Sequence, residues 1–269
     1  MTFGEWITFK LHAGRALYRM VRHLSNWREV WSSYRAQSPL PPLRFRSGLT
    51  LHHGQHDSPI NLLHEIFGER QYSRHINTPL KGMMIDLGAN IGAVTMDCAL
   101  RSASLRVHAY EPNPATNKVL RLNVDANGLS ERVTVHNEAV GRARGELILW
   151  TNMHSMMVTG YTNAPPLPGA KTTRVPLIDL NEVVRRAGGG PVELLKMDTE
   201  GGEADTLEGA VPSTLEAISQ VILEYHDTLC PNALARCRKV LEGAGFSCLI
   251  RPFNEGQGML YARRKDSTS

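Results

Sequence analysis

Four short stretches concentrate the residue types that do chemistry. Ile85-Asp86-Leu87-Gly88-Ala89-Asn90-Ile91-Gly92 is a glycine turn between an apolar run and a helical stretch. Glycines there let the backbone approach a ligand closely, and the helix N-terminus beyond offers free N–H groups and positive potential. The spacing D-x-G-x-N-x-G departs from the dinucleotide fingerprint G-x-G-x-x-G, so it points to a nucleotide-like ligand and away from NAD. His108-Ala109-Tyr110-Glu111-Pro112-Asn113 ends the next apolar run in a carboxylate, 25 residues after Asp86. An acceptor at that place can take both hydroxyls of a ribose; the alternative is that Glu111 only caps the helix after Pro112. Leu195-Lys196-Met197-Asp198-Thr199-Glu200-Gly201-Gly202-Glu203 puts Asp198, Glu200 and Glu203 at the end of a third run, a concentration of negative charge suited to a cationic cofactor or a metal. Glu203 could instead only favour the first turn of the next helix. Finally, Glu224 and His226, two apart in Val221-Ile222-Leu223-Glu224-Tyr225-His226, share one side of an extended chain. An imidazole with an ordinary pKa of ~6.5 suits proton transfer, and a structural histidine is the other reading.

These groups meet only if the chain places them along one edge. Met83–Leu87, Leu105–Tyr110, Val133–Val135, Leu194–Met197 and Val221–Leu223 have the length and apolar content of strands covered on both faces, with helical stretches between most of them. Alternation of this kind predicts a doubly wound, mostly parallel sheet whose carboxyl edge carries the ligand. Phe246–Ile250 and Met259–Tyr261 read as a terminal antiparallel hairpin. Residues 141–180 break the rhythm: a strand Glu146–Trp150, a Pro/Gly loop, and a second strand ending at Asp179, which can cap a helix over Asn181–Arg186. An insertion placed there is expected to shape specificity.

Upstream, Trp6, Phe9, Ala13, Leu17, Met20, Leu24, Trp27, Trp31 and Tyr34 recur at helical spacing until Pro39, Pro41 and Pro42 end the helix or helix pair. We read residues 1–46 as an amphipathic arm that packs on the main body or on a second subunit, and residues 47–269 as the main domain. Ser58–Tyr72 reads as a short capped helix. His52, His53 and His56 lie at a strand end and in a loop, where two imidazoles do not share a helical face, so they read as a solvated cluster.

The chain has 269 residues, 42% of them apolar and 21% charged, which excludes disorder and small disulfide scaffolds. Its four cysteines show no paired spacing, and no apolar run reaches the ~20 residues of a membrane span, which favours a reducing, cytoplasmic setting. The net charge of +4 is uneven: residues 1–46 carry eight Lys/Arg against Glu5 and Glu29, and the rest carries 22 basic against 24 acidic side chains. Polyanion binding is therefore not expected of the main domain.

From about Glu65 to Tyr225, through EIFGERQY, MIDLGANIG, YEPNP, NEAVG, PLIDL and LKMDTEGGE, the sequence resembles the FkbM family of S-adenosylmethionine-dependent methyltransferases. The resemblance implies a Rossmann-like class I methyltransferase fold, with S-adenosylmethionine as cofactor and S-adenosylhomocysteine as product. It places Asp86, Gly88, Asn90 and Gly92 in the cofactor turn, Glu111 and Pro112 at the ribose, and Asn137 and Glu138 near the adenine. Lys196, Asp198, Glu200 and Glu203 then border the methyl group and the acceptor, with Glu224 and Ser155 also expected at the acceptor. His226 or His154 is expected as base, with Asp198 holding the acceptor hydroxyl or serving as base itself. The expected activity is O-methylation of a small molecule such as a sugar or polyketide, with no essential metal. The alternatives are a nucleic-acid methyltransferase using the basic arm, or a non-catalytic scaffold dimerised through it.

Overall fold

The computed structural model describes residues 17–54, 80–151 and 171–264. The chain divides into two compact units, Met1–Gln71 and Tyr72–Ser269.

In the first unit residues 17–23 are helical, and a second helix follows at Trp27–Ala36. The chain turns between them because Asn26 is taken up by other backbone: its Oδ1 accepts from Arg44 N and its Nδ2 donates to Pro42 O. Strands β1 (Leu43–Arg44) and β2 (Thr50–Leu51) pair antiparallel, and Leu24 bridges Phe45. Three expectations change here. The break shifts the helical phase, so Val30, outside the expected stripe, is the buried residue of Trp27–Ala36, while Tyr34 is 39% exposed and stacks with Trp31. The boundary expected at 46/47 falls inside the β1–β2 hairpin, which belongs to this unit. His53 is half-buried, with its ring nitrogens against the carbonyls of Gly54 and Pro41, and so is not solvated. His56 and the helix expected at Ser58–Tyr72 lie outside the described residues.

The second unit is built on β3 (Met83–Leu87), β4 (Arg106–Tyr110), β5 (Val133–His136), β9 (Val192–Met197), β10 (Gln220–His226), β11 (Phe246–Asn254) and β12 (Gln257–Arg264). They form one sheet in the order β11-β12-β10-β9-β3-β4-β5. The pairs β3–β4, β4–β5, β3–β9 and β9–β10 are parallel, and β12 enters antiparallel between β10 and β11. The five apolar runs are thus the five parallel strands. Ile85, Leu87, Leu195, Met197, Val221 and Leu223 are all fully buried, as strands covered on both faces require. After β3 the chain builds outward through β4 and β5, then returns to the other side of β3 with β9. That reversal opens a crevice at the carboxyl ends of β3 and β9, where open α/β sheets bind ligands.

Three further strands, β6 (Ala139–Gly141), β7 (Gly145–Thr151) and β8 (Lys171–Asp179), form a second sheet in the order β6-β8-β7. Ala139, Leu147, Leu149 and Val175 give it a small core of its own. Asp179 caps the helix Leu180–Arg186 by accepting from Glu182 N at 2.8 Å. Among the described residues no helix is long and apolar enough to cross a membrane.

Candidate active site

The β3 turn is held from two sides. Gly88 N and Ala89 N both donate to Tyr110 O at the end of β4, and Asp198 N donates to Leu87 O. Gly88 has φ +72, and a Cβ there would stand 1.8 Å from the carbonyl oxygen of Asp198. Its missing side chain is therefore what lets the turn close onto the end of β9. Gly92 has φ +86, begins the helix Ala93–Arg101, and leaves room for Leu120, whose Cδ1 would lie 2.4 Å from an added Cβ. Gly92 thus serves helix packing, the role that the third glycine plays in the dinucleotide fingerprint.

Beneath the turn, Asp86 is fully buried; its Oδ2 accepts from Thr95 Oγ1 at 2.5 Å, and its Oδ1 lies 3.1 Å from Lys196 Nζ. Lys196 also donates to Gly88 O at 2.7 Å. Asp86 and Lys196 are paired in register across β3 and β9, so the ion pair locks the two strands that border the crevice.

Glu111 ends β4 with both carboxylate oxygens engaged: Oε1 accepts from Asn113 N at 2.8 Å and Oε2 from Asn90 N at 2.9 Å. Burial pushes its carboxyl up to about 7, even though these two N–H groups and the Lys196 charge pull the other way. Asn113, not Glu111, caps the helix Pro114–Ala126, by accepting from Ala115 N. Asn137 spends its amide on the carbonyls of Glu111 and Pro112, bracing the loop after β4 from the end of β5. Glu138 is paired with Arg186. Behind it the rings of Tyr110 and His136 stack at 4.3 Å, and burial first, with the nearby His108 and Arg186, pushes His136 down to about 4.

The third group surrounds the end of β9. Glu203 is fully buried and accepts from Thr199 N, Thr199 Oγ1 and Gly201 N, so it holds the 198–203 loop from inside. Glu200 sits at φ +54, a left-handed backbone that only a constrained loop imposes on such a residue. His226 ends β10 and is 2% exposed, with Glu203 Oε1 3.4 Å from Nδ1, and Glu200 Oε2 and Glu224 Oε1 3.5 and 3.6 Å from Nε2. Burial lowers its pKa, but contact with Glu203 and the charges of Glu203, Glu200 and Asp198 outweigh this and lift it to about 9. The ordinary value expected for proton transfer therefore does not hold in this environment.

One crevice brings Gly88, Asn90, Glu111, Glu138, Asp198 and Glu200 together along the carboxyl edge. Pro112 and Thr199 border it, as do the apolar side chains of Tyr110, Val140 and Leu149. Asp86, Gly92, Asn137, Glu203, Glu224 and His226 lie around it without lining it. His154 and Ser155 lie outside the described residues. Sequence reasoning missed Thr95, the hydroxyl partner of Asp86, and the Val140 and Leu149 wall. A helix-interior threonine nine residues after Asp86 was the available signal for the first.

Residues 86–248 match the methyltransferase FkbM domain. The chain belongs to the FkbM methyltransferase family. It is similar to the 31-O-demethyl-FK506 methyltransferase FkbM of Streptomyces tacrolimicus, at 28% identity over 76% of this chain and 88% of that protein. Methyltransferase 1 of Beauveria bassiana is 25% identical over 64% of this chain and 75% of its own length. A solved FkbM methyltransferase from Methylobacillus flagellatus aligns with a TM-score of 0.46 at 17% identity, over 67% of this chain and 43% of that one. As a member of this family the chain is an S-adenosylmethionine-dependent methyltransferase. Its described residues fit that cofactor: a glycine turn, an uncapped helix N-terminus and a buried carboxylate face an acidic crevice suited to a cation.

Proposed function

We propose that this chain is an O-methyltransferase acting on a hydroxyl group of a small molecule. The observation that carries the reading is the single crevice in which Glu111 stands on one side of the Gly88 turn and Asp198 with Glu200 on the other. Glu111 offers its carboxylate to the ribose hydroxyls, and Glu138 borders the adenine side. Bound S-adenosylmethionine would supply a methyl carbon activated by its sulfonium. The acidic edge favours that cationic cofactor over its neutral-sulfur product. Asp198 lines the crevice beside the turn, and on this reading its carboxylate holds the acceptor hydroxyl and takes its proton. His226 supports that edge from behind. Val140 and Leu149 give the acceptor side an apolar wall, in keeping with a small organic molecule. The name of the Streptomyces relative, which specifies methylation of an oxygen, points the same way.

Calorimetry of S-adenosylhomocysteine binding to the wild type and to Glu111→Ala tests the cofactor half. Loss of binding in the variant, with unfolding temperature retained, is the expected result; equal affinity would remove Glu111 from the site. Transfer of labelled methyl to a panel of hydroxylated and amine acceptors tests the other half, and labelling of amines alone would overturn O-methylation.

A further inference from the structure

We infer that Asp198, Glu224 and His226 form a binding site for one divalent cation at the acceptor end of the crevice, a site that rests on the reading of that end given above. One ligand atom from each of the three lies within 4.8 Å of the others. The spacing of His226 from its neighbouring carboxylates is long for direct hydrogen bonds. A charged N–H donor meets a carboxylate at ~2.7–2.9 Å, whereas His226 Nε2 stands 3.6 Å from Glu224 Oε1 and 3.5 Å from Glu200 Oε2. Atoms bound at ~2.1 Å to one ion stand ~3.0–3.5 Å apart, close to the 3.6 Å between His226 Nε2 and Glu224 Oε1, and the Asp198 carboxylate lies within 4.8 Å of both.

A second observation comes from the other side of the ring. His226 is 2% exposed, yet its Nδ1 makes no hydrogen bond; the atom facing it is Glu203 Oε1, at 3.4 Å. Glu203 is itself fixed by Thr199 N, Thr199 Oγ1 and Gly201 N. A metal-bound imidazole commonly directs its second N–H at a buried carboxylate, which sets the tautomer and aims the other nitrogen at the ion. Here that arrangement would aim Nε2 at Glu224, Glu200 and the crevice. Gln257 Nε2 donates to Glu224 Oε1 at 2.8 Å and orients the second ligand in the same way.

Charge supports the assignment. Asp198, Glu200, Glu203 and Glu224 converge here, and among the described residues the basic groups beside them are His226 and Lys196, the latter already paired with Asp86. Two carboxylates and one imidazole form a mixed donor set that suits Mn²⁺ or Mg²⁺ better than a thiolate-seeking ion. Asp198 lines the crevice, so an ion held there reaches the acceptor hydroxyl and polarises it, easing loss of its proton.

The test is a titration of the full chain with Mn²⁺, following loss of the free-ion signal by electron paramagnetic resonance, with and without S-adenosylhomocysteine. The expected result is one ion per chain with a dissociation constant below ~1 mM. Asp198→Asn and Glu224→Gln should each weaken it at least ~10-fold. Both are less buried than His226, so the test does not depend on His226→Asn folding. No saturable Mn²⁺ binding, or unchanged affinity in both variants, overturns the site. A thermal shift with S-adenosylhomocysteine separates the two claims. A shift without Mn²⁺ binding removes the metal and leaves the cofactor crevice, whereas Mn²⁺ binding without a shift leaves the metal and removes the cofactor reading.

Discussion

If Glu111 receives the ribose hydroxyls, cofactor affinity must carry the titration of Glu111. Burial holds its carboxyl at about 7 instead of the usual 4.5. Ribose hydroxyls donate, so they bind the ionised form, and apparent affinity falls with the ionised fraction. Relative to high pH, the dissociation constant of S-adenosylhomocysteine should double at about pH 7, rise ~10-fold at about pH 6 and ~100-fold at about pH 5. Glu111→Gln cannot ionise; it should bind weakly at every pH, by ~10-fold or more at pH 8 from loss of charge-assisted bonds, and its profile should be flat. The stability of the ligand-free protein moves in the opposite sense. A carboxyl whose folded pKa is raised contributes stability that is fully present below about 4.5 and is lost as pH rises through about 7, on the order of 3 kcal/mol in all. Denaturant unfolding of wild type and Glu111→Gln across that window should therefore diverge with pH. Isothermal calorimetry from pH 5.5 to 8.5 is the direct assay. A wild-type dissociation constant that stays level through this range, or one that tracks Glu111→Gln in parallel, refutes the argument.

Other perturbations reach the scaffold of the crevice. Gly88→Ala places a methyl against the Asp198 carbonyl and adds ~1–2 kcal/mol of left-handed backbone strain, so the unfolding temperature should drop by several degrees and S-adenosylhomocysteine binding should be lost together with it. Lys196→Met leaves Asp86 buried without its cation and should cost ~3–5 kcal/mol in denaturant unfolding, more than a surface lysine such as Lys239 replaced by Met. Asp179→Ala removes the cap on Glu182 N and should cost ~1 kcal/mol without changing cofactor affinity, because the cap stands outside the crevice.

The parallel strands were legible because each is covered on both faces, which leaves short, nearly unbroken apolar runs such as Met84–Leu87 and Leu194–Leu195 in the sequence. The hairpin was legible from its Pro and Gly punctuation, although not the insertion of β12 between β10 and β11. The second sheet was harder to see. Its β6 is only the three residues Ala139–Gly141, too short to show a period, and its partner β8 lies thirty residues further along. The helical arm failed at one point for a related reason: Asn26 breaks the helix through bonds to Pro42 and Arg44, partners that no local pattern reveals.

At the site, position along the sheet edge could be read but orientation could not. Every polar residue at the carboxyl edge invites assignment to a ligand, yet the edge must first satisfy its own loops, whose backbone N–H groups need acceptors wherever water is excluded. Glu203 and Asn137 do that work: one accepts from Thr199 and Gly201, the other donates to the carbonyls of Glu111 and Pro112. Asp86 and Lys196 do it across two strands. What remains facing the crevice is a smaller set, Glu111, Glu138, Asp198 and Glu200 among the carboxylates. The distinction has a consequence for mutagenesis. Loss of activity on replacing Glu203 or Asp86 would reflect a collapsed loop or an orphaned buried charge, and would accompany a lowered unfolding temperature. Loss on replacing Asp198 should leave the fold standing, because its side chain is 20% exposed and Lys196, 4.0 Å from it, is still held by Asp86 and by Gly88 O.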